Sequence, residues 1–480
     1  MTRAGAATSL LEGPIIGSLI TLAVPIVLAN VLQSAYGIID AFWVGRLGGA
    51  AIAAVSVSFP LIFLSIALGM GLAMAGSTLI AQYFGARNQH MVDHVAAQTS
   101  LMVVLVSVVL GLIGFTLAPL LLHAMGVQGD VYGGALGFMR VSFIGLVFNF
   151  FFFMFQSIMR GVGEATAPMW IVAGAVVLNF ILDPVFIFGW FGLPHMGVMG
   201  AAVATLATQM LAAVTGLIIL FRGKYGIHLN WGDFKPDFAF IQRAFFLGFP
   251  ASIEMSARAL GLMVMTFLIT SFGTLTIAAY GVGSNVVQVV MIPAMGLSVA
   301  VATLVGQNIG AGNLHRAAQI GRLGAWIGFW SLSVMGVLVF MFAPALVAFF
   351  VPEDEGVIAA GAVFLHTISL AWGFLGVQLA LTGVLRASGN MVIAMVLTLV
   401  STWVLQFPIA YVLSKHTALG VNGLWWSMPI AQIVIALITM GVYAKGDWKK
   451  KRLVDEQDKL TEKVSEEIIA EEAFTGRGGT

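Results

Sequence analysis

The sequence predicts an all-α polytopic membrane protein: twelve transmembrane helices forming two six-helix lobes that repeat one another. Three observations predict it. Of 480 residues, 60% are apolar and only 9% charged, with a mean hydropathy of +1.00. A soluble chain carries about 25% charged residues to cover its surface. Apolar runs of about 20 residues, long enough to cross the hydrocarbon, recur twelve times. The second half of the chain also repeats the first in register.

Turn and charge signals bound the runs in order. The first, 15–44, follows Gly13-Pro14 and contains Pro25. The second (51–77) opens after Gly48-Gly49, and the third (95–120) follows the polar stretch around Arg87. Asp130 precedes the fourth (131–158), which Arg160-Gly-Val-Gly163 closes; the fifth (166–190) contains Pro184 and the sixth (197–221) opens at Gly197. The seventh to ninth are 240–270, 276–302 and 317–345. The tenth (356–384) follows the acidic run Glu353–Glu355, the eleventh is 391–414, and the twelfth (420–444) opens at Gly420. Residues 222–239, with Arg222, Lys224, Asp233, Lys235 and Asp237, form the long polar break. The expected organisation is an N-terminus over 1–14, lobes over 15–221 and 240–444, an interlobe loop over 222–239 and a charged tail over 445–480.

Twelve spans put both termini on one side. Of the 22 Lys and Arg, 18 fall in breaks or tail on that side: Arg3, Arg87, Arg160, Arg222, Lys224, Lys235, Arg243, Arg316, Arg322, Arg386, Lys445, Lys449 to Arg452, Lys459, Lys463 and Arg477. Opposite breaks hold Arg46 and Lys415. The positive-inside rule therefore expects both termini in the cytoplasm and the body in the cell inner (plasma) membrane. The first run lacks a small-residue cleavage site and is expected to stay as a span. A net charge of +1 gives no field for nucleic acid, and the absence of cysteine excludes disulfides and thiolate chemistry. No HExxH, Walker A, GxSxG or kinase set occurs, so neither an enzyme nor a cofactor is expected. Without a nucleotide domain, energy must come from an ion gradient or a separate subunit.

A shift of 225 residues aligns the halves. From Gly48 to Asn88 against Gly273 to Asn313, 15 of 41 positions are identical without a gap, including Gly71 with Gly296, Gln82 with Gln307 and Gly85 with Gly310. Pro25 likewise meets Pro250. Each repeat has an even number of spans, so the lobes insert with one orientation, related by an axis along the membrane normal. Transporters built this way bind substrate near the midplane between the lobes.

Charges inside a bilayer are costly and mark function. Only Asp40, Asp183 and Glu254 among the carboxylates fall within the predicted spans, and Arg140 and Arg258 are the cations well inside them, Arg243 and Arg322 lying near span ends. Gln33, Tyr36 and Asp40 line one face of the first helix, which Pro25 is expected to bend. The fifth span offers Asn179 and Asp183 at i, i+4 beside Pro184. Acids taken out of water suit proton exchange, and two together with Asn and backbone oxygens could hold Na⁺ at Asp40, Asn179 and Asp183. Each Asp could instead be a helix end near the interface. Glu254 and Arg258, at i, i+4 after Pro250, read either as a local ion pair or as a polar site of the second lobe. Arg140 lines a cleft or snorkels to the interface. Lys449–Arg452 suits anionic headgroups, and 453–474 reads as a short acidic surface helix or a solvated tail.

Four stretches together resemble the MATE family of multidrug and toxic compound extrusion transporters. They are Pro25 through Gln33 to Asp40-Ala-Phe-Trp-Val44-Gly45, Ala53-Ala54 onward to Gln82-Tyr-Phe-Gly85-Ala86, Arg160-Gly-Val-Gly163 with Asn179 to Pro184, and Val305 to Gly312. The resemblance implies two six-helix lobes around a V-shaped cleft and an antiporter with an ion site in the first lobe. By position that site corresponds to Gln33, Asp40, Asn179 and Asp183, with a bend at Pro25 and a sixth-span hydroxyl for which Thr205 is the candidate. A related branch has a seventh-helix acid eight residues after the proline, where this chain has Arg258, and a tenth-span acid, where it has His366 and no carboxylate.

The reading is a secondary active exporter of amphipathic or cationic organic compounds in exchange for H⁺ or Na⁺. It is expected to act as a monomer, with small-molecule drugs or metabolites and membrane lipids as partners and Tyr36 and Arg140 in the substrate cleft. The alternatives are a flippase for lipid-linked or polysaccharide precursors and a membrane scaffold that transports nothing.

Overall fold

A computed structural model describes residues 11–454. Arg3, Lys459, Lys463, Arg477 and most of the expected 453–474 helix lie outside the described residues. With no water in hydrocarbon, backbone groups must be satisfied within each segment, so apolar runs become helices. Among the described residues eleven helices are long and apolar enough to span, and one bent pair, taken as a single span, supplies the twelfth. The first six spans are Ile15–Gly45, Gly49–Gly85, Gln89–Ala124, Gly129–Gly161, Thr166–Phe188 and Val198–Arg222. The second lobe contains Phe238–Thr270, Thr274–Gly310, Leu314–Phe350, the pair Glu355–Ser369 and Trp372–Ala387, then Met391–Lys415 and Val421–Lys445.

Several spans run past the hydropathy boundaries. The second and eighth helices have 37 residues, about 55 Å at 1.5 Å per residue against a hydrocarbon core of about 30 Å. Their additional turns carry Gln82 and Gln307, which are buried against the opposite lobe rather than in lipid.

Two spans depart from the regular helices expected. The tenth breaks by 51° between Ser369 and Trp372. Ser369 Oγ bonds back to the His366 carbonyl at 3.1 Å, and Gly336 of the ninth span gives the Ser369 carbonyl room to approach. Such back-bonding bends helices. The eleventh span is π-helical over Val400–Gln406, immediately before Pro408, which cannot donate to the preceding turn. The first helix runs unbroken through Pro25.

The interlobe segment is docked rather than a free loop. The Gln98 amide donates to the Asp233 and Lys235 carbonyls, both at 2.8 Å, and its oxygen accepts from Asp237 N–H at 2.9 Å. Asp237 then caps the seventh helix by accepting from Phe240 N–H at 3.0 Å. Asp354 of the acidic run caps the tenth span in the same manner through Val357 N–H at 3.0 Å.

The repeat reappears as paired contacts across the lobe seam. A Cβ on Gly85 would meet the Gln307 carbonyl oxygen at 1.9 Å, and one on Gly310 would meet the Gln82 carbonyl oxygen at 1.9 Å. Gly71 lies against Ser252, and its repeat partner Gly296 against Val27, which is Ser252 shifted back by 225. Gln82 Nε2 donates to the Ala387 carbonyl at 2.7 Å, while Gln307 Nε2 donates to the Gly161 carbonyl at 2.9 Å.

These contacts run from the middle of the helices to the end where the described termini lie. There the first helix's Leu19, Leu22 and Ile26 share a core with Leu304, Val305 and Val384 of the second lobe. Toward the other end the cores separate. Trp43, Ala51 and Ile187 form one cluster, and Met265, Val347 and Trp425 belong to another. The molecule is a V joined at the terminal end.

Candidate functional site

The first lobe gathers its polar residues from three helices. The first helix contributes Tyr36 and Asp40, the fifth Asn179 and Asp183, and the sixth Thr205 and Thr208. Asn179 Nδ2 donates to Asp183 Oδ1 at 3.2 Å, and both residues are fully buried. Thr205 Oγ1 donates to Asp40 Oδ2 at 3.5 Å. The carboxyls of Asp40 and Asp183 come within hydrogen-bonding reach of each other, and Asn179 also reaches Asp40. Buried Tyr36 shares a hydrogen bond with Thr208.

Asp183 is buried and Asp40 half-buried, and two adjacent carboxylates largely out of water do not both stay charged without a cation or proton between them. Asp40 Oδ1, Asn179 Oδ1 and Asp183 Oδ2 are buried without a hydrogen-bond partner, and orphaned buried acceptors are costly. Three oxygens in one place are the ligand type a proton or a hard cation takes. Neither Asp serves as a helix cap, since both lie within their helices.

The other candidate residues stand apart. Gln33 is half-buried and makes no side-chain hydrogen bond among the described residues. The Arg140 guanidinium sits over the Phe115 ring of the third span, 4.9 Å from its centroid.

The second lobe contains a charge cluster that the sequence disclosed only in part. Glu254 is fully buried, and one of its oxygens accepts from Arg258 Nη2 at 3.2 Å and Thr398 Oγ1 at 2.9 Å. The same oxygen accepts from Arg386 Nη2. The expected i, i+4 pair is present, but a second arginine joins it. Arg386, expected in a break among the surface cations, is instead inside the tenth span and buried. Its helical face turns it into the lobe, a fact visible only once that span is packed.

In the segment after Lys445, Lys449 and Lys450 are exposed while Trp448, Arg452, Leu453 and Val454 engage the protein. Lys450 pairs with Asp447 at 2.6 Å, and Arg452 Nη2 donates to the Gly310 carbonyl at 2.5 Å. Leu453 N–H donates to Gln82 Oε1 at 2.9 Å, and Leu453 and Val454 are buried in the first-lobe core. Trp448 is buried in the core shared with the second lobe. The segment therefore straps the two lobes together.

The sequence model of the family MatE matches residues 25–185 and 250–412. The chain is similar to the probable multidrug resistance protein YoeA of Bacillus subtilis, at 32% identity over 90% of this chain and 93% of that one. It is also similar to the probable multidrug resistance protein YpnP of the same organism, at 30% identity over 93% and 98%. A crystal structure of MATE in complex with MaL6 superimposes with a TM-score of 0.86 at 24% identity, covering 93% of this chain and 99% of that one. That last likeness bears on the fold.

Proposed function

We propose that this chain, which belongs to the MatE family, is a secondary transporter exporting amphipathic or cationic organic compounds in exchange for H⁺ or Na⁺. The observation that carries the reading is the facing Asp40–Asp183 pair with its unpartnered oxygens. Occupation by one cation neutralises the pair's mutual repulsion and lets the first helix pack more tightly on the fifth and sixth. Loss of that cation leaves two charges that favour a bound cationic compound instead. The exchange drives transport because ion and compound stabilise different states. One charge crossing about 100 mV supplies about 2.3 kcal/mol, enough for a roughly 50-fold gradient of a neutral compound.

The relatives named for multidrug resistance support this substrate class. The cation distribution supports a plasma-membrane protein with both termini in the cytoplasm, and the proposed unit of transport is the monomer. A flippase for pyrophosphate-linked precursors needs free cations in the cleft. Arg258 and Arg386 are engaged with Glu254, which counts against it.

The test is dye efflux in inverted vesicles under an imposed proton or sodium gradient. Wild type is expected to move dye under one of them, and Asp40→Asn to lose at least about tenfold of that rate while inserting and melting normally. Full gradient-driven export by Asp40→Asn would refute the ion-site assignment. A scaffold would tolerate Asp40→Asn and Asp183→Asn together.

A further inference from the structure

A cavity of about 470 Å³ opens at the terminal end of the molecule, between the seventh and eleventh spans and the strap. Its volume falls in the about 300–1,000 Å³ range of small-molecule sites. Leu79, Phe246, Leu247, Met391 and Leu453 give it an apolar wall, and Arg243 and Lys451 are its only charged lining residues. Neither cation has a carboxylate within ion-pair distance among the described residues. Lys451 is the one member of Lys449–Arg452 that lines this cavity, while Lys450 pairs with Asp447 and Arg452 donates to the Gly310 carbonyl.

The eleventh helix also begins at this cavity, with Met391 and Val392 in the lining. Asn390 provides no side-chain cap, its amide nitrogen donating to Ser388 Oγ, so the first N–H groups of the helix have no intrahelical acceptor. Phe246, 62% exposed, and Val392, 56% exposed, are the apolar lining residues most open to the surroundings.

From these observations we propose that the cavity binds the headgroup of an anionic phospholipid from the adjoining leaflet, bridging Arg243 and Lys451. An apolar wall continuous with the lipid-facing surface suits the upper acyl chain and glycerol. Two cations without a carboxylate partner suit the phosphate. A soluble anion would use the cations and leave the apolar wall uncovered. The inference stands whether or not the ion-coupling reading holds.

The test uses the full chain in nanodiscs of phosphatidylcholine containing a minor fraction of phosphatidylglycerol, released and weighed by native mass spectrometry. One phosphatidylglycerol per chain is expected, with its retention falling at least about tenfold in Arg243→Gln/Lys451→Gln. Val392→Trp, which blocks the mouth but keeps both charges, is expected to lose it too. Lys415→Gln, at the other end, is expected to retain it. Undiminished retention in the double variant and Val392→Trp would overturn the proposal. Equal retention of phosphatidylcholine, or displacement by inorganic phosphate, would do the same.

Discussion

Glu254 is the residue whose removal should most disturb the second lobe. Its one bonded oxygen gathers Arg258, Arg386 and Thr398. Breaking a buried ion pair by deleting one partner costs about 3–5 kcal/mol, because the other charge is left uncompensated. Glu254→Gln leaves two arginines side by side and should lower the melting temperature in detergent markedly. Pairing it with Arg386→Met should restore part of the loss, and a double variant melting no higher than Glu254→Gln would argue that the triad is not the source. Residue types alone marked Glu254, Asp40 and Asp183 as exceptional, since charges are rare in spans. Their partners were less legible. The pair with Arg258 was readable at i, i+4, whereas Arg386 is 132 positions away.

Among elements, the second and eighth helices determine whether the terminal end is closed. Their last turns meet through Gly85 and Gly310, where even one added carbon overlaps a carbonyl oxygen of the facing helix. Replacing either glycine by valine should therefore force these ends apart and favour the opposite opening. The chain has no cysteine, so spin labels placed at Arg87→Cys and Asn313→Cys, on the turns just beyond, report the separation without background. The expected result is a longer distance population in Gly85→Val and Gly310→Val. An unchanged distribution would mean the seam accommodates the carbon elsewhere. The 225-residue register identified both glycines as equivalent, but not that each opposes the other's neighbour. The 51° break in the tenth span and the π-helical turns in the eleventh were invisible to hydropathy, because apolar content is unchanged where a helix bends.

For the whole molecule, the paired seam contacts make the lobes two copies of one design, joined at one end and parted at the other. The strap from Trp448 to Val454 reinforces the joined end by placing Trp448 in one core and Leu453 in the other. Orientation is checked in intact cells with a membrane-impermeant maleimide. Lys415→Cys should label from outside, and Lys445→Cys only after permeabilisation. The reverse pattern would invert the topology argued from the cations.

The sequence by itself determined the membrane setting, twelve spans, the repeat and the three carboxylates that lie inside spans. These follow from composition, run length and register, which are local or periodic properties of the chain. Only the tertiary structure decided which acid meets which partner, that Asp40 and Asp183 face each other, that Arg386 turns inward and that the basic tail straps the lobes. Those outcomes depend on helix rotation and on contacts such as Leu453 with Gln82, 371 positions apart. Hydropathy is blind to both, since in a bilayer nearly every face of these helices is apolar.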